Sequence, residues 1–226
     1  MNAQNNISKI TSFLNNLWQD KNYRLEVERK IFHILVILSL PIFYIFTSKL
    51  QILAILAPLT AIVAAADFYR HRLPAIKKIF NIAFGHILRE HEMADKGWTG
   101  ATFVMLSALI TFAIFPKNIA ICAFIILAVS DCLAALVGKG VKSKEFFEKS
   151  LAGSIAFGVS GFLILLICGL FTGQSLAYYF FGTFAVFVTT IIEARPSFLN
   201  FDDNFTIPIS FASVMMFFAL LWDLQF

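Results

Sequence analysis

Charge is what this sequence has least of. Charged residues fill 14% of its 226 positions, where a water-soluble domain carries about a quarter. With 59% hydrophobic residues and a mean hydropathy of +0.79, the deficit excludes an ordinary water-exposed surface. Cysteine is sparse too. Cys122, Cys132 and Cys168 lie in apolar stretches at spacings that suit no zinc site, so they read as small packing residues rather than disulfides. The first 30 residues are polar and charged, and no apolar core with a small-residue cleavage site follows a basic start. No cleavable signal peptide is expected. Neither GxxxxGK[ST] nor GxGxxG occurs, so a bound nucleoside triphosphate would need a different cradle. The pI of about 9.0 follows from the bias of Lys and Arg toward the cytoplasm, and no nucleic-acid partner is expected.

What is abundant is long apolar sequence. A spanning helix needs about 20 apolar residues, and seven stretches approach that length. They run near Ile31–Phe46, Leu50–Ala66, Thr99–Phe115, Asn118–Val137, Leu151–Phe171, Ser175–Ile192 and Phe205–Trp222. The expected fold is therefore all-α: a polytopic integral membrane helix bundle of about seven transmembrane helices. Pro41 and Pro58 interrupt the first two stretches, which neighbouring helices can tolerate. Residues 1–30 form a cytoplasmic, partly amphipathic N-terminal segment, and residues 31–226 a single transmembrane domain.

Of the 18 Lys and Arg, only Lys49 and Lys117 fall in the links on one side. The positive-inside rule makes the other side cytoplasmic, N-terminus included. Of the 14 acids, only Asp223 falls outside the cytoplasmic segments. Channels and carriers place polar groups near the midplane; here the helix middles are almost bare. That pattern points to a site at the inner interface of the cell membrane. Two short amphipathic helices fit the same interface. One carries Ile7, Ile10, Leu14, Leu17 and Trp18; the other opens at Pro74 and carries Ile76, Ile79, Phe80, Ala83 and Ile87. Such faces lie in the headgroup plane or pack on the bundle.

Four groups of residues can carry chemistry. Asp131 sits within the apolar run Ser130-Asp131-Cys132-Leu133-Ala134-Ala135-Leu136-Val137-Gly138-Lys139. An ionised carboxylate there needs a cation, a metal or water, and it can accept a proton from a substrate hydroxyl. Ala134, Ala135 and Gly138 leave room for a ligand or for a close helix. Lys149-Ser150, with Gly153 and Ser154, opens the fifth span. Backbone N–H groups, a lysine and hydroxyls at a helix start suit phosphate; equally, Ser150 suits an N-cap and Lys149 the positive-inside bias. Glu193 closes the sixth span, and Asp202-Asp203-Asn204 precedes the seventh. Together with Asp131 these supply oxygen ligands for Mg²⁺, which binds one or two carboxylates and shares substrate phosphates. The fourth group is Glu28, Arg29, Lys30 and His33, with Asp67 and Arg70, then Arg89, Glu90, His91 and Glu92. Arg29, Lys30 and Arg70 suit a lipid or nucleotide phosphate; Asp67 and Arg70 also suit a plain helix pair. His91-Glu92 lacks a second His at the HExxH spacing.

Taken in order, these motifs resemble the integral-membrane dolichol kinase-like family, which includes polyprenol, phytol and CTP-dependent diacylglycerol kinases. The resemblance covers about residues 25–215. It rests on Ser130-Asp131 through Gly138, on Lys149-Ser150-Leu151 with Gly153-Ser154, and on Asp202-Asp203-Asn204 with Ile207-Pro208. Glu28-Arg29-Lys30 with His33 is similar to the family's opening motif, and Arg89, Glu92, Gly100 and Thr102 to its middle one. Ala152 stands where the family has Glu, and the loop 139–148 lacks its Arg and second Gly-containing element. The chain is also similar to the phosphatidate cytidylyltransferases.

The resemblance implies an enzyme, a CTP-dependent lipid kinase. It would move the γ-phosphate to the hydroxyl of a membrane lipid alcohol: a polyprenol, a diacylglycerol or a phytol-like alcohol. The implied catalytic residues are Asp131, Lys149 and Asp203. Nucleotide or headgroup contacts fall to Gly138, Lys149, Ser150, Gly153, Ser154, Asn204, Arg29, Lys30 and Arg70. Mg²⁺ would be held by Asp131, Asp202, Asp203 and Glu193. The alternatives are a phosphatidate cytidylyltransferase, or a non-catalytic multi-pass protein with midplane polar groups or an inverted repeat.

Overall fold

The computed structural model describes residues 12, 15, 17–70, 72–74, 77–78, 98–199 and 201–222. Each of the seven apolar stretches forms a helix. They are α1 (Lys21–Ile45), α2 (Lys49–Tyr69), α3 (Gly100–Ile114), α4 (Lys117–Gly140), α5 (Leu151–Thr172), α6 (Leu176–Ala194) and α7 (Asp203–Leu221). A short hairpin, β1 (Glu145–Phe146) and β2 (Lys149–Ser150), joins α4 to α5, and a 3₁₀ turn at Pro196–Phe198 follows α6. The protein is an all-α polytopic membrane bundle. Among the described residues, five helices, α2 and α4 to α7, are long and apolar enough to cross a membrane; α3 is apolar but only 15 residues long. The helix carrying the first apolar stretch begins already at Lys21, so α1 runs unbroken through position 30.

Local chemistry sets the helix ends. Asp20 accepts from Asn22 N–H at 2.8 Å to open α1. Ser48 and Gln51 form a reciprocal capping box that opens α2. The turn between α5 and α6 passes through Gly173 at φ 63°, a left-handed conformation that glycine adopts without a Cβ penalty. Pro41, Pro58 and Pro208 all lie inside helices.

The middle of the bundle is α4, 67% of whose span is buried against 22% for α2. It packs on α5, α1 and α7, while α6 packs on α7 and α5, and α3 joins α2 to α7. Its contact face alternates small and large residues: Ala120, Cys122, Ala123, Phe124, Leu127, Ala128 and Cys132 are all buried. Small residues let membrane helices approach closely, because lipid offers no hydrophobic driving force between them. α4 and α5 approach closely at the charged end. A Cβ on Gly153 would stand 2.8 Å from the Ala134 carbonyl oxygen, and one on Gly138 would stand 2.7 Å from Ser150 Oγ.

Of the two amphipathic stretches, Leu17 and Trp18 are helical, with Trp18 exposed, and Pro74, Lys77 and Lys78 each have helical backbone. Ile7, Ile10, Leu14, Ile76, Ile79, Phe80, Ala83 and Ile87 lie outside the described residues, as do Arg89, Glu90, His91, Glu92 and Asp223.

Candidate active site

The polar residues of five elements converge at one end of the bundle. Asp131, on α4, is buried. Across the α1–α4 contact, Lys30 Nζ donates to Asp131 Oδ2 at 2.5 Å, and His33 Nε2 stands 3.4 Å from the same oxygen. Lys30 and His33 are one helical turn apart, so α1 presents both to the carboxylate. One turn earlier on α1, buried Glu26 bridges Arg29 and Lys139, tying α1 to the end of α4. An acid alone at this depth would be costly; α1 supplies its counter-ion.

The hairpin delivers the second cation. Phe147 turns it at φ 54°. Glu148 N–H donates to the Ala194 carbonyl at 3.0 Å, and Leu151 N–H to the Lys144 carbonyl at 2.8 Å. The Glu148 carboxylate accepts from Ser197 N–H at 3.2 Å and from the Ser197 hydroxyl. These bonds fix the hairpin against the end of α6, and so place Lys149 beside Glu193. Lys149 Nζ donates to Glu193 Oε1 at 2.5 Å and to Asp203 Oδ2 at 2.8 Å. Burial pulls the Lys149 ammonium down, but Asp203 and Glu193 outweigh it and hold the group well above the usual lysine value.

Asp131, Glu193 and Asp203 thus come from three helices to one point, with one oxygen of each within 4.8 Å of the others. Two further oxygens, Glu193 Oε2 and Asp203 Oδ1, are buried without a hydrogen-bond partner. Buried acceptors are almost always satisfied, and orphaned oxygens in a cluster of three carboxylates suit a hard divalent cation. The donor set fits Mg²⁺ on these grounds.

The remaining sequence candidates divide. Ser150 is the N-cap of α5, accepting from Gly153 N–H at 3.1 Å, and Ser154 is buried with its hydroxyl unpartnered. Gly138 and Gly153 lie in the tight α4–α5 crossing described above. Asp202 and Asp203 are adjacent but point to different tasks. Asp202 is the N-cap of α7 and accepts from Asn204 N–H at 2.9 Å, while Asp203, one position on, enters the carboxylate cluster. The Asn204 carbonyl accepts from Ser107 Oγ at 2.8 Å. Arg29 is paired with Glu26 near the site. Arg70 is buried in an ion pair with Asp67 at 2.7 Å. Asp67 Oδ2 in turn accepts from Thr99 N–H at 2.6 Å, from Thr99 Oγ1 at 2.9 Å and from Thr102 Oγ1 at 2.8 Å. This second buried cluster caps α3 with a side chain from α2.

The sequence reading placed His33 only in a motif, yet it faces Asp131; its spacing from Lys30 was the available signal. Nothing in the sequence pointed to Ser107 or to the Glu148–Ser197 contact. An apolar cleft of about 850 Å³, lined by Phe180, Phe181, Thr183, Phe184, Phe187, Phe218 and Trp222, lies along α6 and α7, and none of the carboxylate residues lines it.

No protein-family model matches the chain, and no solved structure matches it. Among curated proteins, an uncharacterised protein of Rickettsia prowazekii is 34% identical over 192 residues, covering 84% of this chain and 93% of that protein. The CTP-dependent diacylglycerol kinase 1 of Schizosaccharomyces pombe is 31% identical over 161 residues, 66% of this chain and 72% of that one. That of Saccharomyces cerevisiae is 25% identical over 211 residues, 81% and 70% respectively. With a described relative above 30% identity matched over more than two thirds of its length, the chain belongs to the family of the CTP-dependent diacylglycerol kinases.

Proposed function

We propose that this protein is a lipid kinase that transfers the γ-phosphate of CTP to the hydroxyl of diacylglycerol, at the cytoplasmic face of the cell membrane. The single observation that carries the reading is the junction of Asp131, Glu193 and Asp203 with Lys149 and Lys30 at the charged end of an otherwise apolar bundle. The donor and acceptor come from the named activity of the relatives.

Phosphoryl transfer needs positioning and charge neutralisation more than covalent chemistry. Lys149 leaves its two carboxylates in part to meet phosphate oxygens, helped by the Ser154 hydroxyl and the start of α5. Glu193, Asp203 and Asp131 would hold Mg²⁺, which when bound neutralises charge on the triphosphate. Asp131 takes the proton of the lipid hydroxyl. The lipid oxygen forms a bond to the γ-phosphorus, the bond from that phosphorus to the β-bridging oxygen breaks, and CDP leaves. Lys30 balances the charge of Asp131 before the transfer, and Arg29, next to Lys30 on α1, serves the lipid headgroup or the nucleotide. The lipid enters sideways from the inner leaflet, so its apolar body never leaves the bilayer.

The test is purified protein in detergent with Mg²⁺ and γ-labelled CTP, offered diacylglycerol, a polyprenol and phytol in parallel. Label in diacylglycerol that is lost in Asp131→Asn is the expected result. Label in another alcohol instead would reassign the acceptor. No label in any lipid, with product from phosphatidate and α-labelled CTP, would replace the reading by a cytidylyltransferase.

A further inference from the structure

The start of α7 carries Asp203 into the carboxylate cluster, and that start has a gap in its own hydrogen bonding. In a helix the carbonyl of residue i accepts from the N–H of residue i+4. For Asn204 the partner would be position 208, which is proline and has no N–H. The Asn204 carbonyl is filled instead from another helix. Ser107, on α3 and fully buried, donates to it at 2.8 Å. The Ser107 hydroxyl also lies 3.0 Å from the Val104 carbonyl. That carbonyl is in helical register with the N–H of Ala108, so Asn204 is the acceptor that depends on the serine.

From this we infer that Ser107 is a positioning residue for the cation site: it substitutes for the N–H that Pro208 lacks and so fixes the first turn of α7, with Asp203, against α3. Two neighbouring contacts act on the same turn. Phe103 on α3 meets Phe205 on α7, ring centroids 6.5 Å apart, and Asp202 caps the turn from its own side. α3 is itself anchored to α2, because Asp67 holds Thr99 and Thr102. The bond lies one residue from Asp203, whose Oδ1 is a buried, unpartnered oxygen of the cluster. A loosened first turn leaves the fold intact but displaces one ligand of three.

The inference rests on the proposed cation site and uses the kinase reading only for its second readout. The experiment is a double-mutant cycle on the full-length protein in detergent: unmodified, Ser107→Ala, Pro208→Ala and the double variant. Mn²⁺ affinity is measured by electron paramagnetic resonance, lipid phosphorylation is measured as above, and thermal melting is followed throughout. Ser107→Ala should weaken Mn²⁺ binding about tenfold, the size of one unmade buried hydrogen bond expressed as an equilibrium factor. With Pro208→Ala present, the residue at 208 supplies its own N–H, and adding Ser107→Ala should change affinity by less than about twofold. An equal effect of Ser107→Ala in both backgrounds overturns the inference. So does a lowered melting temperature with unchanged Mn²⁺ affinity, which marks Ser107 as merely structural. Mn²⁺ coupling as expected in a protein that phosphorylates no lipid would keep the inference and sink the kinase reading. Lipid phosphorylation in a protein whose Mn²⁺ affinity ignores Ser107 would do the reverse.

Discussion

Replacing Lys149 by methionine separates the two roles the site combines, cation binding and phosphate binding. In the folded protein the Lys149 ammonium stands between Glu193 and Asp203, 2.5 and 2.8 Å from their oxygens. Remove it, and Glu193 and Asp203, whose oxygens lie within 4.8 Å of each other, lose the ammonium between them, while Asp131 keeps Lys30. Two unit charges at that distance repel by about 3.5 kcal/mol at an effective dielectric constant of about 20. Lys149 and Asp203 are each 28% exposed, so solvent screening lowers the net effect to about 2 kcal/mol. Lys149→Met should therefore melt at a lower temperature without divalent ions. It should recover with Mg²⁺ and bind Mn²⁺ about 30-fold tighter than the unmodified protein, the equilibrium factor for about 2 kcal/mol. Its lipid phosphorylation should nevertheless fall about 10²–10³-fold, because no ammonium meets the transferring phosphoryl group. The assays are thermal melting with and without Mg²⁺, Mn²⁺ titration, and label transfer from CTP. A melting loss that Mg²⁺ does not relieve, together with weaker Mn²⁺ binding, would refute the view that these three carboxylates form a cation site.

Three further outcomes are expected. Asp131→Asn should abolish lipid phosphorylation while leaving Lys30 buried without its charge partner, a destabilisation of about 3–5 kcal/mol that chemical unfolding in detergent would measure. Gly153→Ala should cost about 1–3 kcal/mol, because its Cβ would meet the Ala134 carbonyl oxygen at 2.8 Å; an unchanged melting temperature would show that α4 and α5 do not cross so closely. A lysine held above its ordinary value contributes stability that is complete below the unfolded pKa and is lost as pH rises through the folded one. The stability difference between the unmodified protein and Lys149→Met should therefore stay flat from about pH 8 to about pH 10, above the range where the crowded carboxylates of the variant take up protons. A decline within that window, read from melts across pH, would contradict the ion-pair geometry.

The candidate residues were legible to different depths, for reasons visible in particular cases. Asp131 and Lys149 stand out because an ion within or beside an apolar run is costly, and that cost can be read from sequence alone. Their partners could not be read in the same way. Lys30 meets Asp131 only because α1 crosses α4, and Glu193 meets Lys149 only because the hairpin is pinned to the Ala194 carbonyl. Asp202 and Asp203 are the same residue type in adjacent positions. Helix geometry alone sends the first to a capping bond and the second into the cluster. Gly138 reads equally as room for a ligand or for a close helix; the structure packs the start of α5 against it. Arg70, a phosphate candidate by sequence, is held by Asp67, the helix pair that was the other reading of the same spacing.

By itself the sequence determined that this is a helical membrane bundle with its charge gathered at one end. Apolar run length and the sparseness of charge act locally, and burying a backbone in lipid leaves few options but the helix. Tertiary structure decided which three carboxylates share a point, which lysine stands between them and which serine fills the carbonyl that Pro208 leaves open. Those choices depend on how helices distant in sequence cross, within a few ångströms, and no local pattern of residues encodes a distance of that kind.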